Sequence, residues 1–437
     1  MHPNVLPVLV LFVATSAARL AAQPLEGSWE GAAVARGDEQ PMRFHISKGV
    51  TTWSGRLDLT SLGVLGWPLG SVTLAGDNVR IEFRSDRGTH RFDGVLAGDS
   101  IEGIVRFVGA PEAALTLRRS DPPGSAHEVR QVEFDGDGVR LAGMLTLPPG
   151  EGPHPAIVFV HGSGNVTRNA YRYFAHFYAD RGVATLAFDK RGTGSSTGDW
   201  LEVGFDQLAA DVIAGVEYLT GLPEIAAGSI GLQGQSQGGW IAPLAASRSN
   251  EVAFVITIVG PLVTPAVEGH WDAEWGLTEA GFGAAEYARA REVLLLRDEA
   301  IRTGDGWEAV QTAIDGISGE TWFAHTGLPR EVAPNPERTA WYGLIMDFDP
   351  VPVFEGLDLP ILAIFAERDE SIPTARSVEI LEEIKAAGGK DITIRVFPDA
   401  NHGMRVGPTA DRFRWERYAP GFLEALEDWV AAQTTPR

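Results

Sequence analysis

The stretch from Ile230 to Trp240, IGLQGQSQGGW, decides how the chain is read, because it sets Ser236 between glycines in the order Gly-x-Ser-x-Gly. The pattern alone carries little weight. With 51 Gly in 437 residues, a match is expected by chance about 0.3 times per chain, and a second one stands at Gly194-Ser195-Ser196-Thr197-Gly198. The surroundings separate the two serines. The run SIGLQ ahead of Ser236 reads as a buried strand and WIAPLAAS behind it as a helix, so Ser236 falls on a tight strand-to-helix turn whose crowding demands glycine. Ser196 instead follows DKRGT, already a loop, and more loop follows it. It reads as part of a connection at the edge of a sheet.

Outward from this turn, six apolar runs (AIVFV, VATLAF, SIGLQ, VAFVITIV, LPILAIF and ITIRVF) alternate with helical patterns expected near 170–180, 207–219, 240–247, 375–387 and 419–432. Strands that are apolar throughout are buried on both faces, so the expectation is an α/β fold, a mostly parallel, doubly wound sheet with helices on each side. VRQVEF and VRLAGMLTL flank DGDG as a leading hairpin. Between VAFVITIV and LPILAIF lies an insert, residues 261–356, much longer than a usual crossover. Its run from Ala284 to Leu296 reads as helix, and it carries Trp271, Trp275, Trp307, Trp322 and Trp341. A helical lid is expected, its tryptophans either fixing it to the core or lining a substrate pocket.

Residues 24–120 have a different grammar: short alternating runs such as MRFHIS, GRLDL and VRIEFRS, broken by Gly, Asp and Asn. An apolar residue, a polar one and Gly recur at Trp29-Glu30-Gly31, Trp53-Ser54-Gly55, Phe92-Asp93-Gly94 and Ile101-Glu102-Gly103. This is an all-β module, a small sandwich or barrel, with its aromatic residues in the core. A Pro- and Gly-rich linker, 121–128, separates it from a catalytic domain expected over 129–437. The first 22 residues combine an apolar run with a small-residue region ending near Ala22, and read as a signal peptide. Export to the periplasm or the exterior is therefore expected, with no membrane insertion after cleavage.

The charges, 36 Lys and Arg against 58 Asp and Glu, give −22, which repels nucleic acid and anionic membrane surfaces. With no cysteine, disulfides, thiolate metal sites and a cysteine nucleophile are excluded.

A serine hydroxyl becomes a nucleophile only when a base takes its proton and donors stabilise the oxyanion. The strand LPILAIF ends in AERDESIP, offering Glu367, Asp369 and Glu370, and ITIRVF ends in PDANHGM, offering His402. Parallel strands share a C-terminal edge, so these loops and Ser236 are expected together. Asp369 is the chosen acid, with Glu367 its rival, and His402 the chosen base; His161 is expected to shape its own turn. The backbone N–H groups of Gln237 and Ser163 are the expected oxyanion donors.

The stretches HGSG (161–164), DKRGTGSS (189–196), GQSQGG (234–239), DFDPVPVFEGLDLPILAIFAERDESIP (347–373) and NHG (401–403) together resemble the serine α/β-hydrolases over about residues 128–433. Within that superfamily the chain resembles bacterial secreted esterases of the esterase D type, and it is similar to prolyl oligopeptidase and dienelactone hydrolase relatives. It departs from the last two in having no cysteine nucleophile and no large N-terminal propeller. The resemblance implies hydrolysis of a small-molecule carboxylic ester through an acyl-serine, without metal or organic cofactor. Two alternatives stand beside it: a peptidase or amidase with the same residues, and a surface- or glycan-binding protein whose N-terminal module leads. Oligomeric state is not legible.

Overall fold

Strands whose burial alternates residue by residue open the computed structural model, which describes residues 25–85, 87–121, 127–332, 335–409 and 412–435. The expected signal peptide, and residues 122–126 of the expected linker, lie outside the described residues. The described chain divides into two compact units, one of residues 25–58 and 66–121 and the other of 59–65 and 127–435.

In the first unit, β1 (Gly27–Ala35), β2 (Asp38–Lys48), β3 (Trp53–Leu59), β4 (Val64–Ala75), β5 (Asn78–Ser85), β6 (Gly88–Ala97), β7 (Ser100–Arg106) and β8 (Ala113–Ser120) follow one another in space. β1 pairs with β2 and also with β8, so the sheet closes into a barrel. Trp29, Phe44, Phe83 and Phe92 fill it as buried core. The recurring glycines have a packing cause: a Cβ on Gly31 would stand 2.0 Å from Thr116 O and one on Gly103 2.1 Å from Asp93 O. Side chains there would force paired strands apart, and closure of a narrow barrel needs them close.

The second unit is built on β9 (Glu128–Asp135), β10 (Arg140–Leu147), β11 (His154–Val160), β12 (Ala184–Phe188), β13 (Ile225–Gln235), β14 (Val252–Ile258), β15 (Ile361–Ala366) and β16 (Ile392–Phe397). Their spatial order is β16-β15-β14-β13-β11-β12-β10-β9, and β10 runs antiparallel to both its neighbours. Helices α1 (Arg172–Ala179), α2 (Phe205–Thr220) and α3 (Gly238–Ala246) cross over between the early strands. The strands read as unbroken apolar runs because both faces are covered. Along β11, Ala156, Val158 and Val160 join Leu208, Val212 and Ile241 on one side, whereas Ile157 and Phe159 join Phe174 and Tyr178 on the other. Each fully buried Val, Leu, Ile or Phe among them contributes roughly 1.5–3 kcal/mol by leaving water.

The insert forms α4 (Pro265–Glu279), α5 (Ala284–Thr303), α6 (Trp307–Ile317), α7 (Pro336–Ile345) and α8 (Val351–Gly356). α4 starts where Pro265 cannot donate and Thr264 Oγ1 accepts from Val267 N–H at 3.3 Å. Ala273, Leu277, Val293, Leu294, Val310 and Ile314 give the insert a core of its own. The chain returns to the sheet and ends with α9 (Thr374–Gly388), the short pair β17 (Arg405–Val406) and β18 (Arg417–Tyr418), and α10 (Phe422–Thr434).

Candidate active site

Register brings the relevant loops to one edge. Val160 pairs with Gly234, Gln235 with Ile258, and Ala366 with Phe397, so β11, β13, β14, β15 and β16 all end at the same side of the sheet. β11 and β13 are also where the chain order reverses, the place where such sheets open a crevice.

Ser236 sits between β13 and α3 with φ +54°, a left-handed conformation that costs a residue with a side chain on the order of 1–3 kcal/mol. The turn is held by Ser236 N–H donating to Ile258 O at 3.0 Å and Gly239 N–H donating to Ser236 O at 2.7 Å. Crowding explains its glycines: a Cβ on Gly234 would meet Gly238 O at 2.0 Å, one on Gly238 would meet Val160 O at 2.5 Å, and one on Gly239 would meet Gly260 Cα at 2.3 Å.

Asp369 follows β15 and is buried. Its Oδ1 accepts from the N–H groups of Ser371 at 2.9 Å and Ile372 at 2.8 Å, which fixes the carboxylate. The other side of that carboxylate faces His402: Nδ1 lies 2.9 Å from Oδ1 and 3.1 Å from Oδ2, and Nε2 lies 3.0 Å from Ser236 Oγ. The neighbouring acids bind backbone instead, Glu367 accepting from Asp399 N–H and Glu370 from His402 N–H, each at 3.0 Å. Burial works against charging of His402, but the hydrogen bond and charge of Asp369, with Glu370 and Asp272 nearby, outweigh it and hold the imidazole above its ordinary pKa.

The other serine has a different environment. Ser196 Oγ donates to Asp189 O at 2.7 Å and accepts from Ala142 N–H at 3.0 Å, joining its loop to β10. His161 donates to Phe188 O at 2.6 Å, and burial, with Lys190 adding, pushes its pKa down to about 3. It is a neutral brace between the loops after β11 and β12.

A cavity of about 510 Å³ opens over Ser236, with Ser163 and Gln237 in its wall. The insert supplies much of the lining, including Trp307, Trp341 and Tyr342. Trp307 and Trp341 line the cavity, and Trp341 also packs into the core of the sheet against Trp200; Trp322 is in the insert's own core, and Trp271 and Trp275 pack on each other with centroids 5.8 Å apart.

Two acids in the cavity wall and one buried lysine behind it escape the sequence reading. Glu268 and Asp272, one turn apart on α4, line the cavity. Burial pushes Glu268 up to about 8, with the like charges of Asp272 and Asp369 adding. Partial burial pushes Asp272 up to about 6; His402 opposes this, and Asp369 and Glu370 reinforce it. Lys190, inside the quoted DKRG stretch, is buried and reaches Gln237 Oε1 at 2.8 Å. Helical spacing could have paired the two acids, but nothing local says that α4 lies over the serine.

Comparison with known proteins agrees with this architecture. Residues 137–311 match the X-Pro dipeptidyl-peptidase (S15) family, and residues 337–413 the dienelactone hydrolase family. The chain is similar to 2,6-dihydropseudooxynicotine hydrolase of Paenarthrobacter nicotinovorans, 30% identical over 162 residues that are 36% of this chain and 40% of the relative. It is 24% identical over 279 residues, 61% of this chain and 58% of the relative, to Esterase EstD of Thermotoga maritima. The chain thus spans about two-fifths to three-fifths of these relatives. Among solved structures, a puromycin-hydrolyzing peptidase of Mycobacterium tuberculosis superposes with TM-score 0.50 at 14% identity, covering 93% of this chain and 54% of that one.

Proposed function

We propose that this chain, a member of the serine α/β-hydrolase superfamily, is a carboxylesterase acting on small to medium acyl esters. The reading is carried by one arrangement: Ser236 Oγ, the His402 ring and the Asp369 carboxylate in a hydrogen-bonded line, with Ser236 raised on a strained turn. His402 Nε2 takes the Ser236 proton as Oγ attacks the ester carbonyl. Gln237 N–H and Ser163 N–H receive the oxyanion, each such donor supporting about 3 kcal/mol of transition-state stabilisation. The protonated His402 then gives its proton to the departing alkoxide, leaving an acyl-Ser236. Water, deprotonated by the same nitrogen, attacks the acyl carbon; the acyl–Oγ bond then breaks as His402 returns the proton to Ser236 Oγ, and the acid is released. Asp369 holds the ring so that Nε2 faces the serine and stabilises the imidazolium.

We assign the insert the role of a lid whose Trp307 and Trp341 favour an apolar acyl or aryl group, supported by their place in the cavity wall. Export is proposed from the apolar run near the N-terminus, and sequencing the N-terminus of protein secreted from the native host tests it.

The match to a peptidase family over 137–311 favours amide cleavage as the second reading. One comparison decides between them: turnover of p-nitrophenyl acetate and butyrate against aminoacyl anilides. Ester turnover that is lost in Ser236→Ala and exceeds anilide turnover is the expected result. Undiminished turnover in Ser236→Ala overturns the assignment, and faster anilide cleavage favours the peptidase.

A further inference from the structure

Lys190 follows β12 and is 1% exposed, yet among the described residues its side-chain hydrogen bonds all end on uncharged oxygens. Nζ donates to Gly162 O at 3.1 Å, Gly164 O at 3.5 Å and Gln237 Oε1 at 2.8 Å, and lies 4.7 Å from the centre of the Trp200 ring. Burial pushes its pKa down to about 7, with Arg338 adding. A desolvated ammonium without a counter-charge opposes folding, and an apolar side chain would fill the same space without that cost.

What the ammonium touches supplies a reason for its presence. Gly162 C=O and Ser163 N–H belong to one peptide plane, and in a trans peptide they point in opposite directions. A bond from Lys190 to Gly162 O therefore sets the direction in which Ser163 N–H points. Positive charge at the carbonyl end also polarises the peptide and strengthens its N–H as a donor. The Ser236–Gln237 peptide is anchored from behind in the same way, by Gly239 N–H on Ser236 O at 2.7 Å. Lys190 reaches both halves, since its third bond holds the Gln237 side chain.

We propose that Lys190 is a positioning residue of the oxyanion site, tying the 162–164 loop to the Gln237 side chain so that Ser163 N–H is aimed and polarised before substrate arrives. This rests on the reading of Ser236 as nucleophile with Ser163 and Gln237 N–H as oxyanion donors. Lys190 touches no substrate atom; it acts through the peptide it holds.

The test uses full-length wild type, Ser236→Ala, Lys190→Met and Lys190→Gln, with folding checked by circular dichroism and thermal unfolding. For Lys190→Met, kcat on p-nitrophenyl butyrate should fall about 10- to 100-fold, less than outright loss of a donor, with KM within about threefold. Affinity for butylboronic acid, which forms a tetrahedral adduct on serine, should fall by the same factor, whereas inhibition by butyrate should not change. Lys190→Gln, which keeps a donor without the charge, should recover part of kcat, and it decides by the same readouts if the Met variant does not fold. A folded variant with wild-type kcat, or with boronate affinity intact, overturns the proposal. Wild type without Ser236-dependent turnover overturns the reading of Ser236 itself, so the two failures are distinguishable.

Discussion

His402 Nε2 stands 3.0 Å from Ser236 Oγ although 166 residues separate the two in the chain. Neither side chain reaches the other by local geometry. β13 delivers one and the loop after β16 the other, and the shared edge of the parallel sheet brings them together.

Replacing Ser236 by Ala should reduce ester turnover by roughly a million-fold, the order found when a catalytic serine is removed from such a site. Ser196→Ala should leave kcat unchanged and lower stability by about 1–3 kcal/mol, because buried Ala142 N–H loses its acceptor. Steady-state kinetics and urea unfolding of both variants check this, and lost turnover in Ser196→Ala would contradict it.

The pH dependence carries a sign. The proposed base, His402, works when neutral, and its surroundings hold its pKa above the ordinary imidazole value, so the acid limb of kcat/KM should lie above that value. Asp272 is one of the charges favouring the imidazolium. In Asp272→Asn the proton should leave at lower pH, shifting the limb downward. An upward shift would show that Asp272 acts some other way.

The turn glycines should tolerate no side chain. A Cβ on Gly238 meets a backbone oxygen at 2.5 Å, and relief requires movement of α3 or the end of β11. Gly238→Ala is expected to lose about 1–3 kcal/mol of stability and most of its turnover, as Gln237 N–H is displaced. Thermal unfolding and kcat, measured together, test both halves.

Away from the serine, Arg191 and Asp211 form a buried two-point ion pair, with bonds of 2.7 Å from Nε and Nη2. Asp211→Ala should strand the guanidinium and cost about 3–5 kcal/mol. A urea midpoint indistinguishable from wild type would refute this.

Much of the site was legible because its parts are local. Glycines around Ser236, an acid just past LPILAIF and a histidine just past ITIRVF can each be read from a few neighbours, and the rule that parallel strands end together supplies their meeting. The choice among Glu367, Asp369 and Glu370 was less local: the loop's path turns Asp369 inward to two N–H groups and the imidazole, while the other two hold backbone. In the N-terminal module, alternation specified strands but left sandwich and barrel equally open. Pairing of β1 with β8, the first strand with the last, is a long-range contact that no window of sequence contains.

By itself, then, the sequence determined the buried parallel strands, the crowded serine turn and the order serine, acid, histidine, since apolar periodicity and glycine placement are properties of neighbouring residues. Only the tertiary structure decided that Glu268 and Asp272 line the cavity over Ser236, that Trp307 and Trp341 join them while Trp322 is packed away, and that Lys190 holds the peptide behind Ser163. These depend on where the insert and the loop after β12 come to rest against the sheet. That placement is set by packing between segments far apart in the chain, and periodicity carries no record of it.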